Sequence, residues 1–155
     1  MTTQTRQRPA ISVATIVVQD GRFLLVEERT RGGLRFNQPA GHLEAGETLV
    51  AGAVRETLEE SAWRVDVTHV VGVYLWQPPD SRRAYLRFAF AATARSHEPA
   101  RALDDGIVRA VWMTPAEVRA CVPRHRTPLV MRCVDDYLAG RRLPLDWIVT
   151  LGDMP

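Results

Sequence analysis

Apolar residues recur with two different periods along the chain, and each change of period marks a boundary between predicted strands and helices. Residues 10–18 and 22–28 are rich in β-branched and other apolar residues. Asp20-Gly21 between them is typical of a two-residue hairpin turn. Residues 29–35 lack this apolar pattern and contain Gly32-Gly33, which predicts a mobile loop after the hairpin.

Helical spacing replaces the strand pattern after a short segment over residues 36–40 and a turn-rich stretch over 41–46. Apolar positions then recur three and four residues apart, which predicts a helix from residue 47 to about 61 with one buried face. The positions on this face are Val50, Ala53, Val54 and Thr57. Further strands are predicted over 64–76, 82–93 and 107–113, separated by a turn over 77–81 and a polar loop over 94–106.

Two short helices are predicted to close the chain, because residues typical of a helix start precede each of them. Thr114, Pro115 and Glu117 supply an N-cap, a first-turn proline and a capping-box carboxylate. Thr127-Pro128 repeats the start signal, and Gly140 marks the end of the second helix. Strands interrupted by one central helix and followed by two more predict an α/β sandwich with a mixed sheet.

The composition is typical of a globular protein in aqueous solution. Hydrophobic residues make up 46% and charged residues 25% of the 155 positions, which suits one domain with one core. No apolar run is long enough to cross a bilayer, and residues 1–9, the predicted flexible terminus, lack the apolar centre of a secretion signal. We therefore expect a cytoplasmic protein without membrane contact. Cys121 and Cys133 are too few for a disulfide framework and are expected to be reduced core thiols.

The basic residues are all arginine, and there is no lysine among the 20. A guanidinium can bind phosphate oxygens in a bidentate way, but genome base composition accounts for most of this bias. The formal net charge is only +2, and the arginines are spread along the chain. This distribution argues against a dedicated nucleic-acid-binding protein, which would carry a basic patch or helix face.

Three carboxylates share one face of the predicted central helix. Glu56, Glu59 and Glu60 stand at positions i, i+3 and i+4, opposite the apolar stripe. They repel one another and lie late in the helix, where the helix dipole disfavours negative charge. A helix that tolerates both penalties would gain from a cation, and oxygen ligands suit Mg²⁺, with Mn²⁺ as a substitute. The alternative is a solvated acidic face without a cation.

Arg55 adjoins this acidic group and can reach Glu59 one turn further on, or Glu47 at the helix start. We therefore assign Arg55 to orienting carboxylates. The pattern resembles the Nudix box, in which a glycine, a glutamate and the sequence Arg-Glu-U-x-Glu-Glu-x-Gly, with U a bulky apolar residue, occur at fixed intervals. The matching residues are Gly41, Glu47, Arg55, Glu56, Glu59 and Glu60.

Two positions depart from the box. Thr57 replaces a bulky apolar residue, which fits a partly buried helix face. Ala62 replaces the glycine that ends the helix. If this residue adopts the left-handed conformation, alanine costs about 1–2 kcal/mol that glycine avoids. Neither departure changes a carboxylate, so we expect the helix end to be affected and the chemistry to be retained.

The resemblance implies a Nudix-type α/β/α sandwich with a catalytic loop–helix–loop, and metal-dependent hydrolysis of a small-molecule phosphoanhydride. It implies Glu56 and Glu60 as metal ligands and Glu56 as the candidate general base. Glu59 would be a third ligand or would orient the metal's water shell. The Gly41 carbonyl is a further candidate ligand, because a glycine allows close approach to an ion.

Many family members add a carboxylate from a later loop, and this chain offers three candidates in that region. Asp104 and Asp105 rank above Glu98, because they immediately precede the strand that contains Trp112. Each of the three could equally be a solvated loop charge.

Within the family, residues 37–44, Trp112 and residues 126–130 are similar to a subgroup of phosphatases, the NudJ type, over about residues 10–148. This similarity implies release of phosphate from nucleoside tri- and diphosphates and from hydroxymethylpyrimidine diphosphate. One alternative is a different Nudix substrate, such as ADP-ribose, a dinucleotide or a damaged nucleoside triphosphate. Another is a Nudix-fold module that binds a nucleotide without cutting it, which the intact set of box carboxylates disfavours.

Candidate substrate contacts lie on both sides of the box. Asn37 and Gln38 could hydrogen-bond a base or a phosphate, and arginines could hold phosphate oxygens. The arginine candidates are Arg83, Arg87 and Arg126, and the aromatic candidates for ring stacking, each also typical of a core position, are Tyr74, Trp76, Tyr85 and Phe88. His42 is expected to be structural. The sequence leaves monomer and homodimer equally open.

Overall fold

The structure is a computed structural model, and it describes residues 8–152. Within that range the chain forms seven strands and three α-helices. The strands are β1 (Ala10–Gln19), β2 (Arg22–Thr30), β3 (Gly33–Asn37), β4 (Ala40–His42), β5 (Trp63–Trp76), β6 (Tyr85–His97) and β7 (Ile107–Met113). The helices are α1 (Leu49–Ser61), α2 (Pro115–Ala120) and α3 (Leu129–Leu138). The predicted flexible terminus falls mostly on residues 1–7, which lie outside the described range.

Strand β1 lies at the centre of a mixed sheet. It pairs in parallel with β6 and antiparallel with β2 and β4. Strand β6 pairs in turn with β5, and β2 pairs with β3 and β7, all antiparallel. The main path through the sheet is β3-β2-β1-β6-β5. The prediction of a mixed sheet is therefore confirmed.

Helices cover both faces of this sheet. On one face Ala53 of α1 packs in a cluster with Phe90 of β6. On the other face Val130 of α3 packs in a cluster with Ala89 of β6. Successive residues of a strand point to opposite faces, so Arg87, two residues before Ala89, lies on the face covered by α3. The predicted sandwich is therefore confirmed. Each strand residue faces either the α1 side or the α3 side of the sheet.

The first predicted turn is confirmed, and the loop predicted over residues 29–35 is wrong. Asp20 and Gly21 have φ values of 50° and 72°, the conformation of a two-residue hairpin turn. Strand β2 continues to Thr30 and turns directly into β3, with Thr30 opposite Gly33. The Thr30 hydroxyl donates to the Gly33 carbonyl at 2.7 Å. Backbone pairing and this local bond stabilise the end of β2. Its residues are polar, so no apolar pattern in the sequence predicts a strand there.

Strand β6 also extends beyond its predicted end, into the loop predicted over 94–106. It continues to His97, which lies opposite Trp63 at the start of β5. Its start is at Tyr85, three residues later than the predicted start at 82. The last predicted strand, 107–113, coincides with β7. Pairing with a long neighbour therefore sets the limits of β6, which its own apolar pattern does not.

Helix α1 begins two residues later than predicted and ends as the box departure suggested. Thr48 is its N-cap, and its side chain accepts a hydrogen bond from Ala51 N at 3.1 Å. Glu47 therefore precedes the helix, and its side chain accepts a hydrogen bond from Glu44 N in the loop. Ala62 has φ 59° and ψ 15°, in the left-handed region, and its N–H donates to Leu58 O at 2.9 Å.

The two closing helices begin where their start signals predict. Thr114 and Glu117 form both bonds of the capping box of α2. Thr127 accepts a hydrogen bond from Leu129 N at 3.2 Å at the start of α3, and Gly140 follows that helix with φ 81°. Both cysteines are free, with Cys133 buried on α3. No helix within residues 8–152 combines the length and the apolar character needed to span a membrane.

We expect Ala62→Gly to raise the free energy of unfolding by up to about 1 kcal/mol. The change relieves about 1–2 kcal/mol of left-handed backbone strain, partly offset by about 0.8 kcal/mol for the loss of one buried methyl group. The matched control is Ala51→Gly, an exposed position inside the same helix, which should lose about 0.5–1 kcal/mol. Urea unfolding of the two variants measures both effects. Equal losses at both positions would contradict the strain at Ala62.

Candidate active site

One cavity of about 640 Å³ lies against the sheet face covered by α3. It is lined by four of the charged residues singled out from the sequence, Glu56, Glu60, Arg87 and Arg126. Strands β1 to β6, helices α1 and α3 and the segment before α3 all contribute to its walls. The lining residues used below are Ser12, Glu28, Asn37, Gly41, His42, Glu56, Glu60, Trp76, Tyr85, Arg87, Arg126, Thr127 and Leu129.

Gly41 makes room for a carboxylate of the helix. A Cβ atom at this position would lie 2.1 Å from Cδ of Glu56 and 2.2 Å from both of its carboxylate oxygens. Glu56 is 8% exposed, so a fully solvated acidic face does not describe this side chain. Burial raises the pKa of Glu56 above its ordinary value. The glycine of the box is therefore required by close packing of strand β4 on a carboxylate.

Arg55 holds three carboxylates at once. Its Nε and Nη2 donate to the two oxygens of Glu47 at 3.0 and 2.7 Å. Its Nη1 donates to Glu56 Oε1 at 2.8 Å and to Glu59 Oε2 at 2.9 Å. A bond from Nη2 to the His42 carbonyl at 3.1 Å adds the loop backbone. The Arg55 guanidinium lowers the pKa of Glu47, so this carboxylate stays charged and keeps the loop attached to α1.

One carboxylate oxygen from each of Glu56, Glu59 and Asp104 lies within 4.8 Å of the other two. Asp104 comes from the loop before β7, and its N–H donates to the Glu59 carbonyl at 3.0 Å. The loop is therefore fastened to the end of α1 by its backbone, which brings a third carboxylate to the group. Asp105 is exposed and lies outside this group.

Glu60 lies outside this group and contacts strand β4. Its Oε2 accepts a hydrogen bond from Ala40 N at 2.9 Å, and the side chain lines the cavity beside Glu56. Burial raises the pKa of Glu60 to about 8, and the neighbouring charges of Glu56 and Glu28 act in the same direction. The helix face predicted as one cluster is thus divided into Glu56 and Glu59, which meet Asp104, and Glu60, which supports strand β4.

The donor set fits a divalent cation with a preference for oxygen. All three members of the acidic group are carboxylates, the ligands typical of Mg²⁺ and Mn²⁺. Two like-charged neighbours and partial burial make the negative forms costly without a counter-charge, and Arg55 already shares its own charge with Glu47. The close seat of Glu56 on Gly41 fixes one carboxylate of this set. The residues present are therefore consistent with a metal centre between α1 and the loop before β7.

Several substrate contacts predicted from the sequence line the cavity, and others do not. Asn37, Arg87 and Arg126 line it, and Oδ1 of Asn37 has no hydrogen-bond partner among residues 8–152. Gln38 is instead 1% exposed, and its Nε2 donates to the Val130 carbonyl at 2.8 Å, which ties the segment between β3 and β4 to α3. Arg83 is exposed, with its guanidinium 5.5 Å from the centre of the Tyr85 ring, outside the cavity wall.

Two of the four aromatic candidates form a pair at the cavity. The rings of Trp76 and Tyr85 stack at 5.9 Å with an angle of 29° between their planes, and both line the cavity. The His42 ring lies 6.5 Å from that of Tyr85. Tyr74 instead donates to Asp136 Oδ2 at 2.9 Å, and Phe88 packs against the core on the α1 side. The pair offers a flat apolar surface at one end of the cavity.

Glu28 lines the cavity and was missed by the sequence analysis. Its Oε1 lies 3.6 Å from Nε of Arg126, and burial raises the pKa of this carboxyl. A register shift between Glu27 and Glu28 interrupts the pairing of β2 with β7. Glu27 binds Arg109 and Arg124, and Glu28 faces the cavity. Two adjacent charged residues in an apolar strand were the available signal, because successive residues of a strand point to opposite faces.

Glu98, the third loop carboxylate considered, is occupied elsewhere. It binds Arg64 at 2.5 Å and Arg101 at 3.2 Å on the surface. The ranking of Asp104 above Glu98 agrees with this geometry, although the metal role of Asp104 stays a prediction.

Comparison with known proteins points to one family. The NUDIX domain matches residues 6–133 of this chain. Phosphatase NudJ of Escherichia coli K12 is 38% identical over 141 residues, which cover 91% of each chain. The structure of a NUDIX hydrolase from Nitrosomonas europaea is 45% identical with a TM-score of 0.90, covering 93% of this chain and 98% of that one. An ADP-ribose pyrophosphatase from Streptococcus suis, 20% identical with a TM-score of 0.65 over 86% of this chain and 93% of that one, shares the fold alone.

We expect Gly41→Ala to weaken divalent-cation binding about 10-fold or more, the range seen when the support of a metal ligand is disturbed. The new methyl group would overlap the Glu56 carboxylate and displace it. Thermal unfolding during titration with Mg²⁺ or Mn²⁺ measures the change. Gly32→Ala is the matched control, because the nearest atom to its Cβ would be at the flexible end of Arg35, at 3.2 Å. Equal cation affinity in both variants would contradict the packing of Glu56 on Gly41.

We expect Glu60→Gln to stabilise the metal-free protein increasingly as the pH rises. The pKa of Glu60 is raised to about 8, whereas an unfolded glutamate titrates near about 4.3. Between these values the folded state binds the proton more tightly, so the wild type loses stability as the pH rises toward 8. The glutamine variant lacks this loss.

Urea unfolding in excess chelator at about pH 6 and about pH 8.5 measures this difference. Glu98→Gln is the control, because Glu98 lies outside the cavity and keeps the same charge at both pH values. A stability difference between Glu60→Gln and the wild type that stays constant with pH would show that burial does not control the Glu60 charge.

Proposed function

The chain belongs to the Nudix hydrolase family, and from that membership we propose that it is a Mg²⁺-dependent phosphatase of the NudJ kind. Its proposed substrates are nucleoside tri- and diphosphates or hydroxymethylpyrimidine diphosphate, cut to release inorganic phosphate. The observation that carries the proposal is the set of carboxylates that Arg55 binds, of which Glu56 lines the cavity. A module that only binds nucleotides has no need for this arrangement of like charges.

The proposed metal ligands are Glu56, Glu59 and Asp104, with Glu60 adjoining them from the cavity side. When bound, Mg²⁺ neutralises phosphate oxygens and makes a water molecule more acidic. The Gly41 carbonyl remains a candidate ligand beside Glu56. The proximity of three oxygen donors supports this assignment, because Mg²⁺ prefers oxygen ligands.

The chain's own residues supply the proton transfer and the positioning. We assign the general base to Glu56, which lines the cavity and is held in place by Arg55 and Gly41. The attacking water gives its proton to the Glu56 carboxylate and forms a new bond to phosphorus. The anhydride P–O bond breaks in the same displacement, and the two products are inorganic phosphate and the substrate shortened by one phosphate.

The far end of the cavity is proposed to bind the organic part of the substrate. The stacked pair of Trp76 and Tyr85 suits a flat heteroaromatic ring. Asn37 also lines the cavity, and its amide oxygen, which has no partner among residues 8–152, could accept a hydrogen bond from the substrate. Arg126, opposite Glu28, is available to a phosphate oxygen. These contacts replace the wider set expected from the sequence, in which Gln38 and Arg83 were included.

A substrate panel tests the proposed function. The panel contains nucleoside tri- and diphosphates, hydroxymethylpyrimidine diphosphate and ADP-ribose, and phosphate is measured directly and again after adding a pyrophosphatase. We expect direct phosphate release with Mg²⁺ and none with a chelator. Glu56→Gln is expected to lose about 100-fold or more in kcat, the range for loss of a general base. Signal that needs the pyrophosphatase would move the cleavage to another bond and contradict the phosphatase assignment.

Matched variants in the same assay test the metal ligands. Asp104→Asn should raise the Mg²⁺ concentration for half-maximal activity about 10-fold, because it removes one charged ligand. Asp105→Asn, one residue further and outside the acidic group, is the comparison and should keep the wild-type Mg²⁺ requirement. Identical requirements in both variants would remove Asp104 from the proposed ligand set.

A further inference from the structure

Arg87 occupies the middle of the sheet face that forms the cavity floor. It lies on β6, opposite Ser12 of β1 and opposite Tyr74 of β5. The guanidinium lines the cavity, yet the residue is only 7% exposed. A buried arginine of this kind normally has a carboxylate partner, because transfer of an unpaired charge from water is costly.

No such partner is present among residues 8–152. Nε and Nη1 of Arg87 are buried and have no hydrogen-bond acceptor, and none of the ion pairs in this range includes Arg87. Glu60 and Glu28 are the carboxylates whose charge acts on Arg87, and neither forms a hydrogen bond to it. Burial lowers the pKa of Arg87, which marks the same shortage of compensating charge. Buried polar groups left unpaired are few in folded proteins and call for a ligand or another role.

The strand register places Arg87 between the two ends of the cavity. Ala89, two residues after Arg87 on β6, lies opposite Ala14 of β1. Ala14 in turn lies opposite Ala40 of β4, whose N–H donates to Glu60. Two residues before Arg87 on β6 is Tyr85, half of the stacked ring pair. Positions two apart on a strand share a face and are separated by about 7 Å. The arginine is therefore flanked by the acidic end and the aromatic end.

We propose that Arg87 is the phosphate-binding residue of this cavity, and that its guanidinium binds oxygens of the diphosphate between the acidic group and the Trp76–Tyr85 pair. The proposal deepens the proposed function and rests on it for the identity of the substrate. A planar guanidinium matches the oxygens of a diphosphate. The negative charge of the diphosphate would also serve as the counter-ion that Arg87 lacks among residues 8–152. The preferred substrates are then compact molecules with an aromatic ring close to a diphosphate.

The test uses inorganic pyrophosphate as the probe, with the full chain and excess chelator, so that no metal contributes. Calorimetric titration of the wild type should show binding, and Arg87→Gln should weaken it about 10-fold or more, the range for loss of charge-assisted hydrogen bonds. Arg87→Lys, which keeps the charge and loses the fork, should lie between them. Arg95→Gln is the control, because Arg95 is on the same strand and pairs with Asp66 outside the cavity. It should bind like the wild type.

A second measurement separates binding from folding. Without ligand, Arg87→Met should melt at or above the temperature of the wild type, because it removes a buried charge that has no partner. With the substrates found in the panel, Arg87→Gln should raise KM about 10-fold or more. Absence of pyrophosphate binding by the wild type, or equal binding by Arg87→Gln, would overturn the proposal. So would a lower melting temperature of Arg87→Met together with unchanged KM in Arg87→Gln.

The two proposals fail separately. Weaker pyrophosphate binding by Arg87→Gln in a chain that hydrolyses nothing in the panel would leave the phosphate-binding role of Arg87 intact and remove the phosphatase assignment. Hydrolysis by the panel assay with unchanged pyrophosphate affinity in the variant would do the reverse.

Discussion

The interactions of one guanidinium, that of Arg55, determine how the candidate active site is built. Glu47, Glu56 and Glu59 would repel one another without it, and they come from the loop before α1 and from α1 itself. The same guanidinium binds the His42 carbonyl, so the loop backbone is positioned together with the carboxylates. Because a lysine offers one point of charge where arginine offers a planar fork, the geometry depends on arginine at this position.

The cavity keeps opposite charges apart that could have neutralised each other. Glu60 and Glu28 lie near Arg87, but each has another contact, to Ala40 N and to Arg126 respectively. An ion pair between them would be more favourable for the empty fold and would leave less for a ligand to gain. A protein can retain such unpaired groups when the free energy of folding comes from elsewhere, here from the two apolar layers on either face of the sheet.

The sequence predicted features whose cause is local and missed those whose cause is tertiary. The helical spacing of Glu56 and Glu59, the turn at Asp20-Gly21 and the strand over 107–113 all follow from neighbouring residues. The β2–β3 hairpin carries few apolar residues, and its edge is held by backbone pairing, which composition does not record. Glu28 lines the cavity although the apolar pattern of its strand does not predict this, and Asp104, named from its place before β7, is brought to α1 by a backbone bond between distant segments. Family resemblance supplied the carboxylate roles but not the separate contact of Glu60 with the Ala40 N–H.

The hydrogen bonds of the loop amides to carboxylates carry a consequence for dynamics. Ala40 N–H donates to Glu60, and Glu44 N–H donates to Glu47 at 2.7 Å. Each amide is shielded from solvent exchange only while its carboxylate holds position and charge. The loop therefore opens only when the carboxylates also lose their positions. This local opening costs less free energy than global unfolding. Deuterium uptake at these two amides would register the state of the site while the rest of the sheet stays protected.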